Sequence, residues 1–154
     1  MGEIVKEDEI IKIVENLKKQ NKKVVFTNGC FDILHVGHTR YLKTSAKFGD
    51  FLIVGLNSDE SVKKIKGENR PINNENDRAE ILSELNFVDY VVIFNETSPK
   101  NLIDKIKPNI YTKGADYTLE TLPEKDVILK NNIQVEFIKF VDGKSTTNTL
   151  KKMR

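Results

Sequence analysis

The chain has 154 residues, enough for one domain with a core of its own. Its 25 basic and 23 acidic residues leave a net charge of +2, which speaks against a surface that coats nucleic acid or a basic tail drawn to membranes. One cysteine excludes an internal disulfide. No window approaches the roughly 20 apolar residues of a membrane span, and no N-terminal apolar stretch resembles a secretion signal. A cytoplasmic protein of one domain, residues 1–154, is expected.

Glu7 to Gln20 places Ile10, Ile13, Val14 and Leu17 on one stripe and predicts an amphipathic helix, an N-terminal extension over 7–20. Val24-Val25-Phe26 is short and continuously apolar, as a strand covered on both faces should be. Thr39 to Phe48 predicts a helix that Gly49 terminates. Phe51 to Leu56 predicts a second buried strand, and Asn57-Ser58-Asp59 caps a helix running to Ile65. Beyond a loop from Gly67 to Asn73, Glu75 to Leu85 predicts a helix with Ala79, Ile81, Leu82 and Leu85 toward the core. Tyr90 to Phe94 is the third predicted strand.

Ser98 as cap and Pro99 in the first turn open the next helix, which Lys107-Pro108 closes. Asn109 to Thr112 and Val135 to Ile138 predict the fourth and fifth strands, and Ser145-Thr146-Thr147 caps a last helix. Strands alternating with helices predict an α/β fold: a Rossmann-like, doubly wound parallel sheet of about five strands with helices on both faces. Ligands of such sheets bind beyond the carboxyl ends of the strands. His35 and His38, Asp59, Lys113 to Tyr117, and Ser145 to Thr147 all fall at those ends.

Both histidines of the chain lie in Thr27-Asn28-Gly29-Cys30-Phe31-Asp32-Ile33-Leu34-His35-Val36-Gly37-His38, between a predicted strand and a helix. Two histidines three apart suit a metal, but a zinc site needs further protein ligands, no third histidine exists, and Cys30 stands alone. The same placement presents imidazole and backbone N–H donors to phosphate at a helix start. Neither a Gly-x-x-x-x-Gly-Lys loop nor a Gly-x-Gly-x-x-Gly turn is present, which disfavours kinase, GTPase and dehydrogenase chemistry.

Transfer of a nucleotidyl group fits better, because it needs positioning and charge neutralisation more than covalent help. His35 and His38 then act as electrostatic clamps on the α- and β-phosphates. Lys64, Lys66 and Arg70 lie in a charged segment that either reaches phosphate or is simply solvated. Arg78 either serves the site or points outward from its helix. Ser145, Thr146 and Thr147 read as a helix cap or a phosphate cradle.

The run Asn28-Gly-Cys-Phe-Asp-x-Leu-His-x-Gly-His resembles the nucleotidylyltransferase superfamily, which carries His-x-Gly-His on its first strand–helix turn. With Lys66-Gly-x-x-Arg-Pro, Arg78, Val88-Asp-Tyr-Val-Val-x-Phe, Lys113-Gly-x-Asp-Tyr and Ser145-Thr-Thr-Asn, the chain from about Lys23 to Met153 resembles the branch that makes ADP-heptose for bacterial lipopolysaccharide. Ala115 stands where that branch often has a second glycine, and Lys144 where it often has a small residue or cysteine.

Together these readings assign catalysis to His35, His38, Lys66 and Arg78. Nucleotide binding falls to Thr27, Asn28, Gly29, Phe31, the two histidines, Lys113, Gly114, Ser145, Thr146 and Thr147. Acceptor binding falls to Asp59, Lys64, Lys66, Asp116 and Tyr117. The resemblance implies ATP and a sugar 1-phosphate as substrates, Mg²⁺ carried in on ATP with no metal bound by the protein alone, a separate heptose kinase, and a homo-oligomer of two or more chains. No nucleic-acid or membrane partner is expected. A cytidylyltransferase acting on a small polyol or amino-alcohol phosphate is the alternative enzyme. A nucleotide-binding regulator and a nucleic-acid module using Lys63, Lys64 and Lys66 are the non-enzymatic ones.

Overall fold

The computed structural model describes residues 2–139. In chain order the elements are β1 (Glu3–Ile4), α1 (Glu7–Lys19), β2 (Val24–Gly29), α2 (Val36–Ala46), β3 (Phe51–Asn57), α3 (Asp59–Lys66), α4 (Glu75–Ser83), β4 (Tyr90–Phe94), α5 (Lys100–Ile106), β5 (Ile110–Gly114), α6 (Lys125–Lys130) and β6 (Gln134–Ile138). The strands form one sheet in the order β1-β4-β3-β2-β5-β6, every neighbouring pair parallel.

The sheet is the doubly wound one expected, with a sixth strand. Glu3 and Ile4 pair with Tyr90 and Val91 at the edge beside β4, a contact too short to leave an alternating pattern in the sequence. Alternation of side chains splits the core in two. Val24, Phe26, Ile53 and Val92 meet α1, α5 and α6 through Ile10, Val14, Leu102, Ile103 and Ile128. Val25, Leu52, Val54 and Val91 meet α2 and α4 through Tyr41, Leu42, Ala79 and Leu82. A Cβ at Gly55 would lie 2.6 Å from the Phe26 ring, so β3 keeps glycine where that ring crosses it.

Three local expectations change. Pro99 occupies the N-cap of α5 instead of its first turn, and the Ser98 hydroxyl turns toward Glu124 Oε2 at 3.5 Å instead of capping. Helix α6 forms where no element was expected; its one fully buried side chain, Ile128, offers no periodic stripe to detect. On α4 the buried stripe is Arg78, Ala79, Leu82 and Ser83, which turns Ile81 outward to 45 % exposure. The last predicted helix, capped by Ser145 to Thr147, lies outside the described residues.

Arg78 explains that stripe. It is 1 % exposed, and its guanidinium donates from Nε to Asn73 O (2.9 Å), from Nη1 to Cys30 O (2.7 Å) and Asn57 O (2.8 Å), and from Nη2 to Asp59 Oδ1 (2.8 Å). One buried cation thus ties the turn after β2, the end of β3, the start of α3 and the loop before α4. Arg78→Met would leave three carbonyls and a partly exposed carboxylate without these donors. It is expected to cost about 3–5 kcal/mol of stability, measured by chemical denaturation, with Arg78→Lys recovering only part because one ammonium cannot span four acceptors.

Candidate functional site

The chain runs outward from β2 through β3 to β4, then crosses to β5 and β6 on the other side of β2, so the winding reverses between β2 and β5. Open parallel sheets part their loops at such a point and leave a crevice beyond the strand ends. A cavity of about 230 Å³ lies there. Its wall comes from the end of β2 and the turn after it (Asn28, Gly29, Cys30, Phe31), from α2 (His38, Tyr41), from Lys66, and from the end of β5 (Lys113, Gly114, Asp116, Tyr117).

The turn after β2 is built for close approach. A Cβ on Gly29 would sit 2.8 Å from the Phe31 ring, and Phe31 itself is left-handed at φ 44°. That fold-back brings the Phe31 ring edge-on to His38, with centroids 5.3 Å apart. His38 and His35 stack at 3.9 Å.

The two imidazoles also cap α2 reciprocally. His35 N donates to His38 Nδ1 at 3.3 Å, and Gly37 N donates to His35 Nδ1 at 3.1 Å. A backbone amide can only donate, so both Nδ1 atoms are acceptors and each neutral ring carries its proton on Nε2. Burial first, and then the neighbouring His35 ring and the Lys66 charge, push the His38 pKa down to about 4. At neutral pH His38 is therefore a neutral N–H donor at a helix start.

The loop following α3 is held by Asp32. Its carboxylate accepts from Arg70 Nε at 2.7 Å, Ile72 N at 2.8 Å and Asn73 N at 2.9 Å, while Asn73 Nδ2 donates to Asp32 O at 2.7 Å. Burial works against the ionised form, but the amides of Asn73 and Ile72 and the Arg70 guanidinium hold the Asp32 carboxyl below its ordinary value. This latch fixes the loop just beyond Lys66, whose charge acts on both His38 and Cys30. Burial pushes the Cys30 thiol up in pKa, the wrong direction for a nucleophile.

The expected site residues separate into those that line the cavity and those that support it. Asn28, Gly29, Phe31, His38, Lys66, Lys113, Gly114, Asp116 and Tyr117 line it. Thr27 is fully buried, bonding through Oγ1 to Tyr41 Oη (2.9 Å) and Thr112 O (3.2 Å), part of a hydroxyl chain that fastens α2 to the sheet. Arg78 and Asp59 are engaged with each other, and Lys64 is exposed on α3; none of the three contributes to the wall. Ser145, Thr146 and Thr147 lie outside the described residues.

Three residues with clear roles escaped the sequence reading. Asp32 had a signal, its place inside the motif. Tyr41 had only its spacing of three from His38. Glu124, 2 % exposed at the start of α6, had none, since Pro123-Glu124-Lys125-Asp126 has the composition of a solvated turn.

A family model described as cytidylyltransferase-like matches residues 26–149. The chain is 54% identical over 147 residues to bifunctional protein HldE of Aliarcobacter butzleri, a match covering 96% of this chain and 30% of that protein. It is 51% identical over 146 residues to bifunctional protein HldE of Geobacter metallireducens, covering 95% and 30% respectively. The chain therefore spans about 30% of the length of these curated relatives. Among solved structures, the lipopolysaccharide core biosynthesis protein from Thermoplasma volcanium superposes with a TM-score of 0.62 at 35% identity, over 78% of this chain and 97% of that one. Matched from within β2 to residue 149, and carrying its cavity where the sheet reverses, this chain belongs to the cytidylyltransferase-like family.

Proposed function

We propose that the chain is an adenylyltransferase that moves AMP from ATP to D-glycero-β-D-manno-heptose 1-phosphate, giving ADP-heptose and pyrophosphate for the lipopolysaccharide core. The observation that carries this reading is the identity of 54% with a bifunctional protein HldE, running through 96% of the chain. A bifunctional relative matched over 30% of its length supports one of two activities for the matched region, and a heptose kinase that supplies the sugar 1-phosphate is part of the same proposal. Assembly into a homo-oligomer and a cytoplasmic location belong to the same proposal. No helix among the described residues is long and apolar enough to cross a membrane.

In the reaction an oxygen of the acceptor phosphate attacks the α-phosphorus of ATP, the bond from that phosphorus to the bridging oxygen breaks, and pyrophosphate leaves. Mg²⁺ enters as part of the substrate, bound to the triphosphate. Among the described residues no group of three or more His, Cys, Asp or Glu is placed to hold an ion. What the protein supplies is a set of fixed donors. His38, with His35 stacked on it, offers Nε2–H where charge develops on the phosphates. The start of α2 adds backbone dipoles, and Lys66 adds a cation. Lys64 stays a proposed contact to acceptor phosphate, Ser145 to Thr147 proposed contacts to the nucleotide, and Arg78 and Asp59 proposed supports of the loop that carries Lys66.

His35→Ala and His38→Ala are each expected to lower turnover by about 10² or more, since a lost transition-state donor costs roughly 3 kcal/mol. Loss of the reciprocal cap adds only about 1 kcal/mol of instability. His38→Asn keeps an oxygen to cap His35 N and should restore stability without restoring rate; near wild-type turnover in any of the three would refute the clamp.

Protonation gives a second check. The unfolded chain binds a proton at His38 near pH 6.5, the folded chain near pH 4, so acidification through that window favours unfolding. Wild type should lose roughly 2 kcal/mol of stability relative to His38→Gln between pH 6.5 and 4, and no difference above pH 7. Parallel stability curves for the two proteins across the window would show that His38 is not held neutral.

Pyrophosphate release measured over a grid of nucleotides and acceptors tests the reading itself. ATP with the heptose 1-phosphate should exceed CTP with glycerol 3-phosphate, and Asp116→Ala should reduce the first pairing sharply because an unpaired sugar hydroxyl costs roughly 1–3 kcal/mol. A preference for CTP with the polyol phosphate would overturn the assignment.

A further inference from the structure

One ion pair reaches the cavity wall through Lys113, which lines the cavity, and is closed from behind by a buried carboxylate. Lys113 Nζ lies 3.2 Å from Glu124 Oε1, and Glu124 is almost fully enclosed at the start of α6. Tyr111 donates its hydroxyl to the same oxygen at 2.7 Å and reaches Asn28 Oδ1 at 2.5 Å. Burial and the Glu124 charge raise the Tyr111 pKa well above its ordinary value, so the phenol keeps its proton as a donor. The ammonium also stands 4.8 Å from the centre of the Tyr117 ring.

The charge arithmetic of this wall is unusual for a site that handles phosphates. Lys113 and Glu124 sum to zero, and Asp116 beside them is a carboxylate. Among the described residues that line the cavity, the unpaired cation is on the other side, where Lys66 acts on His38 at the start of α2. A phosphate brought against a neutral pair and a carboxylate would lose its hydration with little in return. A hydroxyl loses far less, and the wall offers it both polarities. Lys113 has three N–H donors, of which Glu124 and, at 3.5 Å, Tyr111 engage two. Asp116 accepts.

We propose that Glu124 is a specificity-determining residue: by neutralising Lys113 it makes the β5 end of the cavity a receptor for the vicinal hydroxyls of a sugar ring and denies that end to phosphate. The assignment of the ring to the nucleotide or to the acceptor rests on the nucleotidyl-transfer reading, and the experiment separates the two. The charge on the wall does not depend on that reading.

Three proteins decide it: wild type, Glu124→Gln, which leaves the pair at +1, and Lys113→Met/Glu124→Gln, which returns the pair to zero. Calorimetric titration with inorganic pyrophosphate should show about tenfold tighter binding to Glu124→Gln than to wild type, and wild-type affinity in the double variant. KM for the substrate whose ring occupies the site should rise about tenfold in both variants while kcat changes less than threefold. A rise for ATP identifies the ribose, and a rise for the sugar 1-phosphate identifies the acceptor ring. Unchanged pyrophosphate affinity in Glu124→Gln overturns the proposal, as does a fall in either KM, which would mark the end as a phosphate seat. A lower melting temperature with unchanged constants would mean a structural pair only, and also overturns it. Should Glu124→Gln not fold, the double variant still judges: unchanged KM for both substrates refutes the receptor. A wild-type protein that releases no pyrophosphate with ATP and heptose 1-phosphate refutes the functional reading, yet leaves the pyrophosphate titration to judge Glu124.

Discussion

Two buried charges must find partners, and the site takes its shape from how they do. The Arg78 guanidinium, far costlier to bury unpaired than any apolar side chain, collects carbonyls from Cys30, Asn57 and Asn73 and the carboxylate of Asp59. Asp32 does the converse, collecting amide and guanidinium donors from 70–73. Strand packing alone would leave the loop between α3 and α4 free to wander, since its residues contribute little to either core cluster. The paired charges convert it into a fixed wall, and Lys66 gains its position beside His38 because both ends of that wall are pinned.

The histidines make the same point at a smaller scale. Each spends Nδ1 on the backbone of α2, which puts the proton of the neutral ring on Nε2, and His38 is the one of the two that lines the cavity. Capping and ring chemistry are thereby coupled: the hydrogen bonds that start the helix also select the tautomer and aim the ring. Phe31, left-handed and folded against Gly29, packs its ring edge-on against His38. Burial in that setting keeps the imidazole neutral, which suits the proposed donor of one hydrogen bond that does not change its charge.

Much of this was legible in the sequence because it rests on short-range chemistry. Apolar runs bounded by glycine and polar caps located the five longer strands, and one strand–turn–helix motif located the crevice. What escaped depends on contacts between residues far apart in the chain. Ile81 looks apolar and core-facing until Arg78 claims the inner arc of α4, and no periodicity signals that an arginine will do so. Thr27 reads as a nucleotide contact by motif, and nothing local shows that its hydroxyl also bonds to Tyr41 and Thr112, 14 and 85 residues away. Glu124 reads as a solvated turn because its partners Tyr111 and Lys113 belong to another strand end.

The cavity is electrically divided as a result. On the α2 side it has a helix start, a neutral imidazole donor and Lys66; on the β5 side it has a self-neutralised pair and a carboxylate. A nucleotidyl transfer joins two molecules that are each part polyanion and part polyol, so a uniformly basic pocket would hold both in many orientations with similar energy. Division of charge removes that degeneracy, because a reversed substrate would bring phosphate against Asp116 and hydroxyls against Lys66. On the nucleotidyl-transfer reading, orientation, on which in-line attack at the α-phosphorus depends, then follows from the charges placed at the two ends of the cavity.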